Sequence, residues 1–123
     1  MKKLIIALVL LVSSFASATG GHFHPKKVAK CEGLCTEDQI KAAVTAGIDE
    51  LNTWKKIDAK IWGPAKVESV TRKDFEKKDG KTLKTWVVTL LNEKETDTTK
   101  NKTYLFFLLD GSIFRNNDTG VLK

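Results

Sequence analysis

The hydrophobic positions of this chain fall into three kinds of run. Residues 4–12 are continuously apolar, residues 40–54 carry apolar side chains at steps of three and four, and several short runs after residue 65 are rich in β-branched, aromatic and leucine residues. The strongest are 84–92, with TWVVTLL at its centre, and 103–109, TYLFFLL. Runs of this composition, closed by charged or turn-forming neighbours, are the pattern of strands inside a sheet.

Ile40, Ala43, Val44, Gly47, Ile48, Leu51 and Trp54 form one apolar stripe at helical spacing, while Lys41, Asp49, Glu50 and Asn52 face elsewhere. Thr36 and Gln39 have the spacing of a capping box, and Glu37 and Asp38 sit at the positive end of the helix dipole. The spacing predicts one amphipathic helix from Thr36 to about Lys56. Gly47 costs about 1 kcal/mol relative to alanine inside a helix, which is tolerable where it lets helix and sheet approach closely.

Residues 57–64 read as a linker, with Ile61 and Trp62 as apolar anchors and Gly63-Pro64 ending any helix. In 65–76, Val67, Ser69, Thr71, Lys73 and Phe75 fall on one strand face and Val70 on the other, an irregularity that a bulge or an edge position explains. Asp79-Gly80 and Asp110-Gly111 are tight-turn signals, and residues 93–102, without an apolar residue, read as an exposed loop. Four strands follow: 65–76, 82–92, 104–109 and 112–116. The predicted class is α+β, with one N-terminal amphipathic helix packed on a four-stranded antiparallel meander sheet.

The first eighteen residues change how the composition is read. Met1-Lys2-Lys3, the apolar run 4–12 and the small-residue site Ala16-Ser17-Ala18 have the form of a secretory signal peptide. The expected organisation is a signal peptide at 1–18, a flexible arm with His and Cys at 19–35, and a single α+β domain at 36–123. The style of the signal places the product in the periplasm or outside the cell, with no membrane insertion after cleavage. Removing Lys2 and Lys3 lowers the formal charge from +6 to +4. The remaining cations are interspersed with acids and form no stripe, so nucleic acid is not an expected partner.

Candidate chemistry is confined to the arm. His22, His24, Cys31 and Cys35 bring two imidazoles and two thiols within fourteen residues, ligand types suited to copper or zinc. The spacing is not that of a known zinc module, and the competing reading is a disulfide between Cys31 and Cys35, the usual state of an even pair in an oxidising compartment. A Cys pair at a helix start can also have the lowered thiol pKa used in redox exchange, although C-x3-C is not the common C-x-x-C. With the cysteines joined, His22 and His24 remain as ligands, together with a new amino terminus near Gly20-Gly21-His22. No other histidine, nucleophile elbow or phosphate-cradling loop is present, so an enzyme is not expected. Trp54 and Trp86 read as core, and Trp62 as partly exposed.

His22 and His24, Trp62, Trp86-Val87-Val88, the run Thr103-Tyr104-Leu105-Phe106-Phe107-Leu108, Asp110-Gly111 and Asn117-Asp118-Thr119-Gly120 together resemble a family of short exported bacterial proteins built around a domain of unknown function. The resemblance covers nearly the whole mature chain and rests on core and turn residues, so it implies a fold more than an activity. Cys31 and Cys35 depart from the family pattern, and the histidines at the start are fewer. The architecture is also similar to PepSY-like and cystatin-like helix-on-sheet modules, which bind partners.

Two readings of function follow. One is metal handling, with the arm holding copper or zinc through His22 and His24, with or without Cys31 and Cys35. The other is a protein-interaction or inhibitory module using the exposed sheet face, with a structural disulfide and no metal. One helix covers only one face of a sheet, so the second face is either shielded by the linker around Trp62 or open to a partner.

Overall fold

The computed structural model describes residues 24–122. Within these residues the class is α+β: a five-stranded antiparallel sheet with three short helices. In chain order the elements are β1 (Lys26–Lys27), α1 (Glu37–Ala42), α2 (Val44–Thr53), α3 (Ala59–Trp62), β2 (Lys66–Glu76), β3 (Thr82–Leu91), β4 (Lys102–Leu108) and β5 (Ser112–Asn117). The strands lie in the order β1-β5-β4-β3-β2, so β2 to β5 form the expected meander. The fifth strand comes from the segment read as an arm, where Lys26 pairs with Ile113 and Lys27 with Ser112.

The single expected helix is divided into α1 and α2. The N-terminal cap is the predicted one: the Thr36 hydroxyl accepts from the Gln39 N–H, and the Gln39 side chain accepts from the Thr36 N–H. At Ala43 the backbone leaves helical geometry (φ −93°, ψ 0°), and its N–H donates to the Ile40 carbonyl, one residue closer than in an α-helix. No proline or glycine marks this break. The apolar stripe runs on through it, because Ile40, Ala43, Val44, Gly47, Ile48 and Leu51 are all buried. The linker is also more regular than expected. Asp58 caps the one-turn α3 by accepting from the Lys60 N–H, and the Asn52 side chain accepts from the Ala59 N–H.

Alternation along the strands divides the core in two. Val70, Val88, Leu90, Leu105, Phe107 and Ile113 face the helices and pack with Ile40, Ile48 and Leu51. Full burial of such a side chain stabilises the fold by roughly 1.5–3 kcal/mol. Val87, Phe106 and Phe114 are buried on the opposite face, with Phe75, Leu83, Tyr104, Leu108 and Leu122 around them. Trp54, Trp62 and Trp86 are each half-buried against the helix-side core. Trp62 therefore packs on the face the helices already cover and shields none of the second.

Both explanations of the uneven β2 pattern hold. It is an edge strand, and its register to β3 shifts between Val67 and Ser69. A second irregularity lies in β5, where Phe106 pairs with Arg115 but Phe107 with Ile113. The residue gained by β5 puts Phe114 and Arg115 on the same side of the sheet as Phe106.

Candidate functional site

Residues 28–35 form a loop docked on the β4–β5 turn. Gly111 turns the chain with φ +90°, and its carbonyl accepts from the N–H groups of Val28 and Ala29 at 3.1 and 3.3 Å. The Cys35 N–H donates to the Leu109 carbonyl at 2.8 Å, and the Lys27 ammonium donates to the Cys31 carbonyl. Cys31 and Cys35 are joined in a disulfide with their Cα atoms 5.4 Å apart, within the ordinary range. Both are buried. The Cys31 sulfur lies 3.6 Å from the Asp110 carbonyl, a packing contact, since a disulfide sulfur has no proton to donate. A side chain at Gly111 would run into Ala29 and the Cys35 sulfur, so turn and loop fit together only because that position is glycine.

The disulfide alters the predicted metal set. Two sulfurs bonded to each other are not thiolates, and a soft-metal site needs thiolates. His24 is exposed two residues before β1. His22 lies outside the described residues, as does the Gly20-Gly21 stretch. Among the described residues no three His, Cys, Asp or Glu side chains come together as a metal-holding group.

The second sheet face carries a different feature. A groove of about 350 Å³ opens at the end of the sheet near the β2–β3 turn. Phe75 at the end of β2, Leu83 at the start of β3, Phe114 on β5 and Leu122 in the tail give it an apolar floor. Glu76, Lys77, Lys78 and Arg115 line its rim. Phe75 meets Phe106 edge-on with centroids 6.0 Å apart, and Phe106 lies against Phe114 at 6.4 Å, so the floor is braced from below. The tail is brought over this face by the Asn117 side chain. Its carbonyl oxygen accepts from the N–H groups of Thr119 and Gly120, and its amide donates to the Val121 carbonyl. Gly120, with φ +76°, lies against the Tyr104 ring. Of the rim cations, Lys77 faces Asp79 at 4.0 Å, while Lys78 and Arg115 are exposed and form no ion pair among the described residues.

A further polar group stands out on the helix side. The Trp86 indole N–H is buried without an acceptor among the described residues, and the Arg72 guanidinium lies over the ring at 5.6 Å. Arg72 and Trp86 are cross-strand partners, which accounts for the stacking.

The model of a family of unknown function, DUF6488, matches residues 1–121. The chain belongs to that family. No curated protein and no solved structure matches it. For DUF6488 the match fixes membership across nearly the whole chain and leaves the site to be read from its geometry. In this DUF6488 chain the structure brings Cys31 and Cys35 together and leaves His24 exposed on the surface. The groove residues were missed by sequence reasoning, which placed Phe75 on an irregular strand and assigned no element or contact to Leu122. The available signal was the set Phe75, Leu83, Phe106 and Phe114, in excess of what one helix can cover.

Proposed function

We propose that the protein is an exported binding module that acts through the second face of its sheet, seating the apolar part of a small ligand in the groove between Phe75, Leu83, Phe114 and Leu122. The observation that carries the reading is this apolar floor open to solvent on the face away from the helices. A volume of about 350 Å³ falls at the lower end of the roughly 300–1,000 Å³ typical of small-molecule sites. Eight residues line it, whereas a standard protein–protein interface engages roughly 20–30 residues a side. The size therefore favours a small ligand over a docked protein. Export rests on the lysine start, the apolar run and the Ala16-Ser17-Ala18 site.

The test is amide chemical-shift mapping of the mature protein with 1-decanol as an uncharged apolar probe. The expected shifts cluster at Phe75, Leu83, Phe114 and Leu122, and both Leu83→Asp and Leu122→Asp abolish them. Leu122 lies beyond the last strand, so its substitution leaves the sheet folded. Shifts confined to the helix side, or no saturable shifts, overturn the proposal.

Copper or zinc binding is retained in a narrower form, with His22 and His24 as ligands and the disulfide uninvolved. Calorimetric titration of Cu(II) is expected to lose its signal in His22→Ala/His24→Ala and to keep it in Cys31→Ser/Cys35→Ser. Loss of binding in the cysteine variant, or binding weaker than micromolar in the wild type, removes this site.

A further inference from the structure

The rim of the groove says more about the ligand than its floor does. Lys77, Lys78 and Arg115 approach from two sides, the first two from the β2–β3 turn and the last from β5, and Glu76 is the single acid among the lining residues. The excess of positive charge is local to the groove mouth and sits beside an apolar floor. Lys77 is partly occupied by Asp79; Lys78 and Arg115 have no acidic partner among the described residues. Arg115 is carried there by the β5 irregularity, which sets it beside Phe114. An ordinary solvated face disperses its charge among acids, whereas here cations border a concavity lined by Phe75, Leu83, Phe114 and Leu122.

We infer that the ligand is an amphiphilic anion, with a carboxylate or phosphate head held between Lys78 and Arg115 and an apolar tail lying on the Phe75, Leu83, Phe114 and Leu122 floor. The inference rests on the binding-module reading and adds the charge of the ligand to it. A planar guanidinium holds a carboxylate or phosphate through paired hydrogen bonds, and a lysine adds a point charge without a fixed direction. The floor supplies the non-directional part of the affinity, in proportion to the apolar area removed from water. Such a division of labour gives a site selective for head charge and tolerant of tail structure.

Decanoate, 1-decanol and decyltrimethylammonium share an alkyl tail and differ in head charge, so titrating each into the mature protein below its aggregation concentration separates head from tail. Decanoate is expected to bind about tenfold more tightly than decanol, a difference of about 1.4 kcal/mol, and the cation more weakly than either. Lys78→Gln and Arg115→Gln each reduce the decanoate preference over decanol, and together they bring it to about unity. Raising the salt concentration narrows the same gap, since charges at an open rim are screened. Equal affinity for decanoate and decanol overturns the anion inference and leaves the binding-module reading standing. Failure of all three probes to bind overturns both. A decanoate preference that survives the double substitution places the head elsewhere and overturns the assignment to Lys78 and Arg115.

Discussion

The ring of Phe107 occupies the space where a side chain on Gly47 would begin: a Cβ built on Gly47 would stand 2.9 Å from the Phe107 Cζ and 3.6 Å from the Ile113 Cδ1. Helix α2 therefore lies on β4 and β5 with glycine as the contact, and Phe107 has no exposed surface through which to retreat. Alanine gains about 1 kcal/mol of helix propensity, but overpacking a filled core costs roughly 1–3 kcal/mol. Gly47→Ala is expected to destabilise by about 1 kcal/mol net, and Gly47→Val by more. Urea unfolding checks both; a stabilised Gly47→Ala variant would mean that the close approach is not a constraint.

The disulfide holds a short loop. For the five residues from Cys31 to Cys35, the chain-entropy estimate of its contribution is about 2 kcal/mol. Cys31→Ser/Cys35→Ser is expected to lose about that much, with faster amide exchange at Val28, Ala29 and Cys35, which donate to Gly111 and Leu109. Exchange in β3 and β4 changes only through the global loss. Gly111→Ala reaches the same loop from the other side. Its φ of +90° is strained for any side chain, and its Cβ has no room, so a further loss of about 1–3 kcal/mol is expected. A cysteine variant with unaltered exchange at Ala29 and Cys35 would show that the hydrogen bonds hold the loop without the covalent link.

Two exposed pairs give pH signatures of opposite sign. The Asp97 carboxylate accepts from the Thr99 hydroxyl at 2.6 Å and from the Thr99 N–H at 2.9 Å, and these bonds lower its pKa below the ordinary 3.8. Its contribution is present above 3.8 and is lost as pH falls through the folded value. Lys102 meets Glu68 at 2.9 Å, which raises its pKa above 10.5 through a hydrogen bond and the charge of the carboxylate. That contribution is present below 10.5 and is lost as pH rises through the folded value. NMR titration should show Thr99→Ala moving Asp97 back toward its ordinary range, and Glu68→Gln doing so for Lys102. Unchanged midpoints would separate the shifts from these partners.

What was legible in the sequence was what rests on short-range pattern. Thr36 and Gln39 announced the helix start, Asp79-Gly80 and Asp110-Gly111 announced the turns, and the strands appeared within a residue or two of their bounds. The break at Ala43 was hidden because it leaves the apolar stripe intact, and period alone registers which face is buried. The pairing of Lys26–Lys27 with β5 was hidden for a different reason. Two lysines have no strand signature, and their placement depends on Ala29, Cys31 and Cys35 docking at Gly111, far along the chain. In the candidate site the Cys31–Cys35 link was among the readings, whereas the groove required Phe75, Phe114 and Leu122 to meet from separate elements. Phe114 reached it through a register shift that no local pattern announces.

The strand order also decides how the molecule meets copies of itself. On one side β1 occupies the hydrogen-bonding positions of Ile113 and Ser112 at the start of β5. On the other, β2 ends the sheet with a bulge and with Lys66, Arg72 and Lys73 along it, features that discourage end-to-end stacking of sheets. The two flanks are protected by unequal means, since β2 carries its protection in its own side chains and β5 borrows it from two residues near the amino terminus. Proteolytic trimming past Lys27 would bare the backbone donors and acceptors beside Ser112 and Ile113, groups of the kind through which one sheet edge pairs with another. The stretch ahead of the disulfide thus has a part in closing the sheet that is independent of the covalent link behind it.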